Sequence, residues 1–131
     1  MSDLSKTVFS VFFVSSGAVL GAYLRDYIVK RFHTDVRPKY LLLLLINCIA
    51  SFLLGLIYAL ENGSANSLVY NFFLLFICIG LLGSLSTFSS VIWEVSFALK
   101  KRNWTKSFWI SITSVLGGLL FALAGYRLGN A

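Results

Sequence analysis

Apolar residues dominate four stretches of this chain, at about 8–29, 40–60, 68–99 and 107–126, with short polar segments between them. A helix rises about 1.5 Å per residue and about 20 apolar residues cross the hydrocarbon of a bilayer, so each stretch is long enough to span. The pattern predicts an all-α membrane protein: one domain over residues 1–131 with four transmembrane helices. The first run has no clear small-residue cleavage site and continues into Arg25-Asp26, so it reads as a retained span rather than a signal peptide. The third run is too long for one straight crossing. Roughly 30 residues of helix measure about 45 Å, against about 30 Å of hydrocarbon. Its middle is also the least helix-prone part, because Gly80, Gly83, Ser84, Ser86, Thr87, Ser89 and Ser90 fall close together. Glycine weakens a helix, and serine and threonine offer its backbone competing hydrogen bonds. A break near 83–86 resolves the mismatch. Freed backbone groups survive in a membrane only where they meet protein, water or an ion, so the break is a candidate binding or permeation site.

Helical spacing then sorts the polar residues onto faces. In the first span Gly17 and Gly21 form a G-x-x-x-G pair, which reads as close helix packing, with Arg25 one turn further along the same face. Arg25 has two readings: an anchor paired with Asp26 or lipid phosphate, or a cation at the mouth of an anion path. In the second span Asn47, Ser51, Gly55 and Tyr58 share a face, and the leucine run before Asn47 can carry that amide into the bilayer. Asn47 reads as a donor lining a polar path, with interhelical bonding as its plainer role. In the restarted third span Thr87, Ser90, Val91 and Glu94 share a face, and in the fourth Ser107, Ser111, Ser114 and Gly118 do so. Serines facing lipid have no partner, so this last face is expected to meet protein or water.

Composition fits the pattern. Of the 131 residues 58% are apolar and 12% charged, against about 25% charged in soluble domains. The net charge of +6 sits beside the apolar runs, which suits topology better than nucleic-acid binding. Lys30, Arg31, Arg37, Lys39, Lys100, Lys101, Arg102 and Lys106 fall on one side of a four-span chain, against Lys6 and Arg127 on the other. The positive-inside rule puts the basic loops in the cytoplasm and both termini outside. His33 is a lone loop histidine, and Asn62-Gly63 marks the turn between the second and third spans. Cys48 and Cys78 lie inside apolar runs and read as buried thiols. No nucleophile–base or metal-ligating constellation is evident, which argues against an enzyme.

Four features together resemble the CrcB/Fluc fluoride channel family: Gly17 to Arg25 in the first span, Asn47 with Ser51, Phe52 and Gly55 in the second, the interrupted third span, and the glycine- and hydroxyl-rich string up to Glu94. The resemblance covers nearly the whole chain. It implies an antiparallel dimer with two narrow anion paths at the interface, through which fluoride leaves the cytoplasm passively. It implies a structural Na⁺ held by backbone carbonyls, which by position belong to Gly83 and Ser86. It places Asn47 on the fluoride pathway, gives Phe88 a ring edge that contacts fluoride, assigns hydroxyls of Thr87, Ser90, Ser111 and Ser114 to the same path, and sets Arg25 near the vestibule. The chain departs from the family where Val91 stands in place of a second phenylalanine. That change removes one ring edge from any path built on this subunit. With the strong charge bias, it suggests a fixed-orientation subunit paired with a homologous chain inserted the opposite way, a homodimer being the other arrangement. Two further readings stand beside the channel: a non-conducting structural subunit of a heterodimeric channel, and a small proton-coupled multidrug transporter. The transporter class needs an embedded carboxylate in its first span, and here Asp26 lies near that span's end.

Overall fold

The computed structural model describes residues 3–32, 39–61, 68–86 and 88–131. Thr87 and the segments 33–38 and 62–67, which hold His33, Arg37 and the Asn62-Gly63 turn, lie outside the described residues. All the regular structure described is helical. Helix α1 is Asp3–Phe32 and α2 is Lys39–Glu61. Helix α3, Leu68–Leu74, runs into a π-helical segment, Leu75–Leu82, and then into the three-residue α4, Gly83–Leu85. Helices α5, Phe88–Lys100, and α6, Trp104–Gly129, complete the chain. Four helices among the described residues are long and apolar enough to cross a membrane: Asp3–Phe32, Lys39–Glu61, Asn71–Lys100 and Trp104–Gly129.

Local chemistry explains how polar residues enter these apolar helices. In α1 the hydroxyls of Ser10, Ser15 and Ser16 each donate to the carbonyl four residues back, at 2.9, 2.7 and 2.7 Å. In α6 Thr113 does the same to Trp109 at 2.6 Å. Such bonds satisfy a hydroxyl within its own helix, so it needs no water. Helix α1 carries Asp3 in its first turn and Lys30 and Arg31 in its last, each complementing the helix dipole.

The basic segment at 100–106 is mostly helix rather than loop. Arg102 takes a left-handed φ of 54°. The Arg102 amide donates to Leu99 O at 2.8 Å and the Asn103 amide to Ala98 O at 3.0 Å, the paired bonds of a Schellman ending. The Asn103 side chain then accepts from the Lys106 amide at 3.2 Å and caps α6. Asn103 thus closes one helix and opens the next, and α6 begins three residues before the apolar run does.

Two packed pairs organise the molecule: α1 lies on the π-helical segment and α4, and α2 lies along α6, with α5 also against α6. Glycine makes both pairs possible. A Cβ on Gly17 would overlap Phe76 O, and one on Gly80 would lie 2.6 Å from Val14 O. In the other pair a Cβ on Gly55 would overlap Ala122 O and one on Gly125 would overlap Phe52 O. Backbone lies directly on backbone in each case, which any larger residue would prevent. The outward surface is strongly apolar, with Phe12, Val19, Leu120, Phe108 and Trp104 each at least 60% exposed. An apolar surface of this extent is stable only against lipid or another subunit.

Candidate functional site

The candidate site lies where the π-helical segment gives way to α4 and α5. The π-helical segment ends at Leu82, and α4 stops after one short turn. Ser86 then turns extended, with φ −85° and ψ 96°, before α5 starts at Phe88. A helix that stops leaves the carbonyls of its last turn without amides further along it. These are hard oxygen donors. Among the described residues no three His, Cys, Asp or Glu side chains gather as a metal site. The carbonyls of Gly83 and Ser86 lie at this turn. Gly83 is exposed and Ser86 half-buried.

Helix α1 holds one side of this turn. A Cβ on Gly21 would overlap both Ser84 Oγ and Leu81 O. The Ser84 hydroxyl donates to Ala18 O at 2.8 Å and lies 3.3 Å from Leu81 O. One helical turn beyond Gly21, Arg25 Nη1 donates to Ser84 O at 3.3 Å. The neighbouring carboxylate of Asp26 pairs with Lys30 at 2.6 Å. In the sequence Ser84 stands only among the residues that weaken the third helix, with no contact assigned to it. The signal for it was the repeat Gly17, Gly21, Arg25, which marks one face of α1 as the face that meets the third crossing.

Phe88 and Val91 sit three residues apart on α5 and have opposite surroundings. Phe88 is 62% exposed and Val91 only 4%. Val91, Glu94, Ser114, Thr113, Ile110 and Leu43 line a crevice between α5, α2 and α6 that is too tight for a water molecule. Ser90 lines a separate, open recess of about 280 Å³ with Lys39, Ser89 and Trp93. The Lys39 ammonium lies 5.5 Å from the Trp93 ring centre. Ser111 donates to Ser107 O at 3.0 Å, within its own helix. Asn47 is half-buried on α2. Further along α2, Ser51 Oγ comes within 3.5 Å of where a Gly118 Cβ would stand. The polar stripes of α2 and α6 therefore meet each other at Ser51 and Gly118, and below that point Gly55 serves packing.

The structure thus brings Ser114 beside Val91, and Arg25 beside the turn at 83–86. It puts Ser90 in a different recess from Ser114, and Thr87 lies outside the described residues. Ser90 and Ser114 thus line separate recesses of one chain.

Residues 12–126 match the family described as CrcB-like protein, Camphor Resistance (CrcB). The chain is 37% identical over 130 residues, 99% of both chains, to the fluoride-specific ion channel FluC 1 of Prochlorococcus marinus (strain MIT 9313). It is 38% identical over 117 residues, 88% of this chain and 90% of the other, to FluC 1 of Parasynechococcus marenigrum (strain WH8102). It is 30% identical over 124 residues, 94% of this chain and all of the other, to FluC 1 of Geobacillus kaustophilus (strain HTA426).

Proposed function

Because this chain belongs to the CrcB family, we infer that it is a multi-pass membrane protein and a subunit of a fluoride-specific ion channel, which lowers cytoplasmic fluoride by passive export. The observation that carries this reading is identity of 37% across 99% of both chains with a protein named for fluoride conduction. Four helices of membrane-spanning length agree with it. The relatives are named as channels, so the reading is of a conductor rather than an enzyme.

The subunit pairs antiparallel with a second chain, and the paths form where the two meet. Three observations support this. The outward surface is apolar, Ser90 and Ser114, both assigned to the path, line separate recesses within one chain, and Phe88 is exposed beside the turn at Ser86. The third crossing is broken midway, with Gly83 and Ser86 supplying carbonyls for a structural Na⁺. That ion supplies fixed positive charge at the centre of the assembly. Fluoride is small and strongly hydrated, so many weak donors must replace its water. The Phe88 ring edge is the positive part of its quadrupole and can face the anion. The amide of Asn47 and the hydroxyls of Thr87, Ser90, Ser111 and Ser114 supply donors, and Arg25 contributes positive potential. Ser111 already donates to its own helix, so it would have to reorient its proton to serve the ion. The basic ends, Lys30, Arg31, Arg37, Lys39, Lys100, Lys101, Arg102 and Lys106, face the cytoplasm and the termini face outward.

The partner is a homologous chain of opposite orientation. The one-sided charge supports a fixed topology, and Val91, which carries no ring where the resemblance implies a second one, supports unequal paths. Fluoride efflux from liposomes tests both levels. The chain reconstituted with its partner is expected to pass fluoride and exclude chloride, Phe88→Ile is expected to lower the flux at least tenfold, and replacing Na⁺ by a large organic cation is expected to reduce assembly. Fluoride flux as strong from this chain alone would refute the obligate heterodimer. Absence of flux in any combination would refute the channel.

A further inference from the structure

The broken crossing ends against α1, and the contact there is polar on both sides of one residue. Ser84 gives its hydroxyl proton to Ala18 O at 2.8 Å, and its carbonyl receives Arg25 Nη1 at 3.3 Å. Gly21 lets this happen, since a Cβ there would overlap Ser84 Oγ. Two residues later the backbone is extended at Ser86. Arg25 is half-buried at this seam, and the adjacent acid, Asp26, holds Lys30.

We propose that Arg25 is a positioning residue: its guanidinium caps the C-terminal end of α4 by taking the Ser84 carbonyl, and so decides which carbonyls of the turn remain for the cation. The cap rests on the channel reading above. A cation near the end of a helix complements its dipole. A guanidinium is also a directional donor with a planar fork, which an ammonium is not. With the Ser84 carbonyl directed at α1, it is withdrawn from the carbonyls of the turn, which still include those of Gly83 and Ser86. If Ser84 O were released, it would compete for the same ion and the turn would lose its fixed side. This role differs from that of a cation at the mouth of a path, which acts through its field and is indifferent to hydrogen-bond geometry.

Hydrogen exchange read by mass spectrometry separates the two. The full chain is placed in lipid nanodiscs as wild type, Arg25→Lys and Arg25→Met. A capping role predicts amide exchange at least tenfold faster across 82–90 in Arg25→Met, an intermediate increase in Arg25→Lys, and no change across α6. Fluoride flux from the assembled channel should fall in the same order, with no steeper dependence on ionic strength than wild type. Exchange across 82–90 that is unchanged in both variants would overturn the cap. So would a Lys variant equal to wild type in exchange while Met alone loses flux in a salt-dependent way. Should Arg25→Met not fold, shown by faster exchange in every helix, Arg25→Lys alone decides by the same local comparison. The exchange readout needs neither fluoride nor Na⁺, so a failed cap leaves the channel reading standing, and an absence of wild-type flux leaves the cap to be judged on exchange.

Discussion

Gly21 on α1 and Gly125 on α6 each bring their helix so near another that an added Cβ would overlap a carbonyl oxygen, yet the two seams differ in what else they contain. Along α2 and α6 both helices are regular, and at Gly55 and Gly125 the contact is glycine against backbone, with Ser51 meeting Gly118 beside it. Along α1 the facing chain is π-helical, then briefly α-helical, then extended, and polar cross-links appear: Ser84 to Ala18 and Arg25 to Ser84. The difference teaches where a membrane protein needs hydrogen bonds between helices. A regular helix satisfies its own backbone, so its neighbour has only to fit. An interrupted helix exposes carbonyls, so its neighbour has to supply donors. Regularity in α2 and α6 suits packing alone, and irregularity opposite α1 is matched there by polar cross-links.

Substitutions break this comparison to different degrees. The largest effect is expected from Gly21→Val and Gly125→Val. Each forces two backbones apart, costs about 3 kcal/mol or more, and should abolish monodisperse protein on gel filtration. If only one of them does, the two seams are not equivalent as packing devices. Next comes Val91→Phe. Restoring a ring at this position is expected to overfill the crevice beside Leu43, Ile110 and Ser114, destabilise by about 1–3 kcal/mol in chemical unfolding, and leave fluoride flux no higher. A rise in flux would mean that Val91 turns toward the path in the assembled channel.

Smaller effects sharpen the polar half of the comparison. Ser84→Ala removes a bond between helices and should cost about 0.6–1.7 kcal/mol. Ser111→Ala removes a bond within a helix and should change stability by less than about 0.5 kcal/mol, while lowering fluoride flux if its hydroxyl lines the path. Equal losses of stability would place Ser111 in a seam between helices. The smallest effect is expected from Asp26→Asn. The Asp26–Lys30 pair is short at 2.6 Å but more than half exposed on both sides, so solvent screens it and chemical unfolding is expected to show almost no loss of stability. A larger loss would show that Asp26 also orients Arg25.

Parts of this arrangement were legible in the residues themselves. The G-x-x-x-G pair at Gly17 and Gly21 pointed to close packing, and both glycines are buried against the third crossing. The equivalent spacing at Gly125 and Gly129 drew no such reading, although both sit against α2 at Phe52, Leu56 and Ala59. The apolar run ends at about 126, so Gly129 falls beyond the predicted span, although α6 continues through it. The residues around Arg25 point only to Asp26, lipid phosphate or an anion path as its partners. A main-chain carbonyl 59 residues away was not among the options, because nothing local to Arg25 announces it.

The sequence by itself determined the number of spans, the clustering of basic residues at alternate ends, and the place where the third crossing is least able to stay helical. Each of these is a sum over adjacent residues, of transfer energy, charge or helix propensity, and needs no knowledge of what lies nearby. Tertiary structure alone decided that Val91 turns inward and Phe88 outward, that Ser84 joins α1 to the interrupted crossing, and that Ser90 and Ser114 occupy different recesses. Lipid tails are as apolar as leucine, so a membrane helix carries little amphipathic signal to say which face is covered. The facing of each side chain is therefore fixed only by which neighbouring helix comes close enough to touch it.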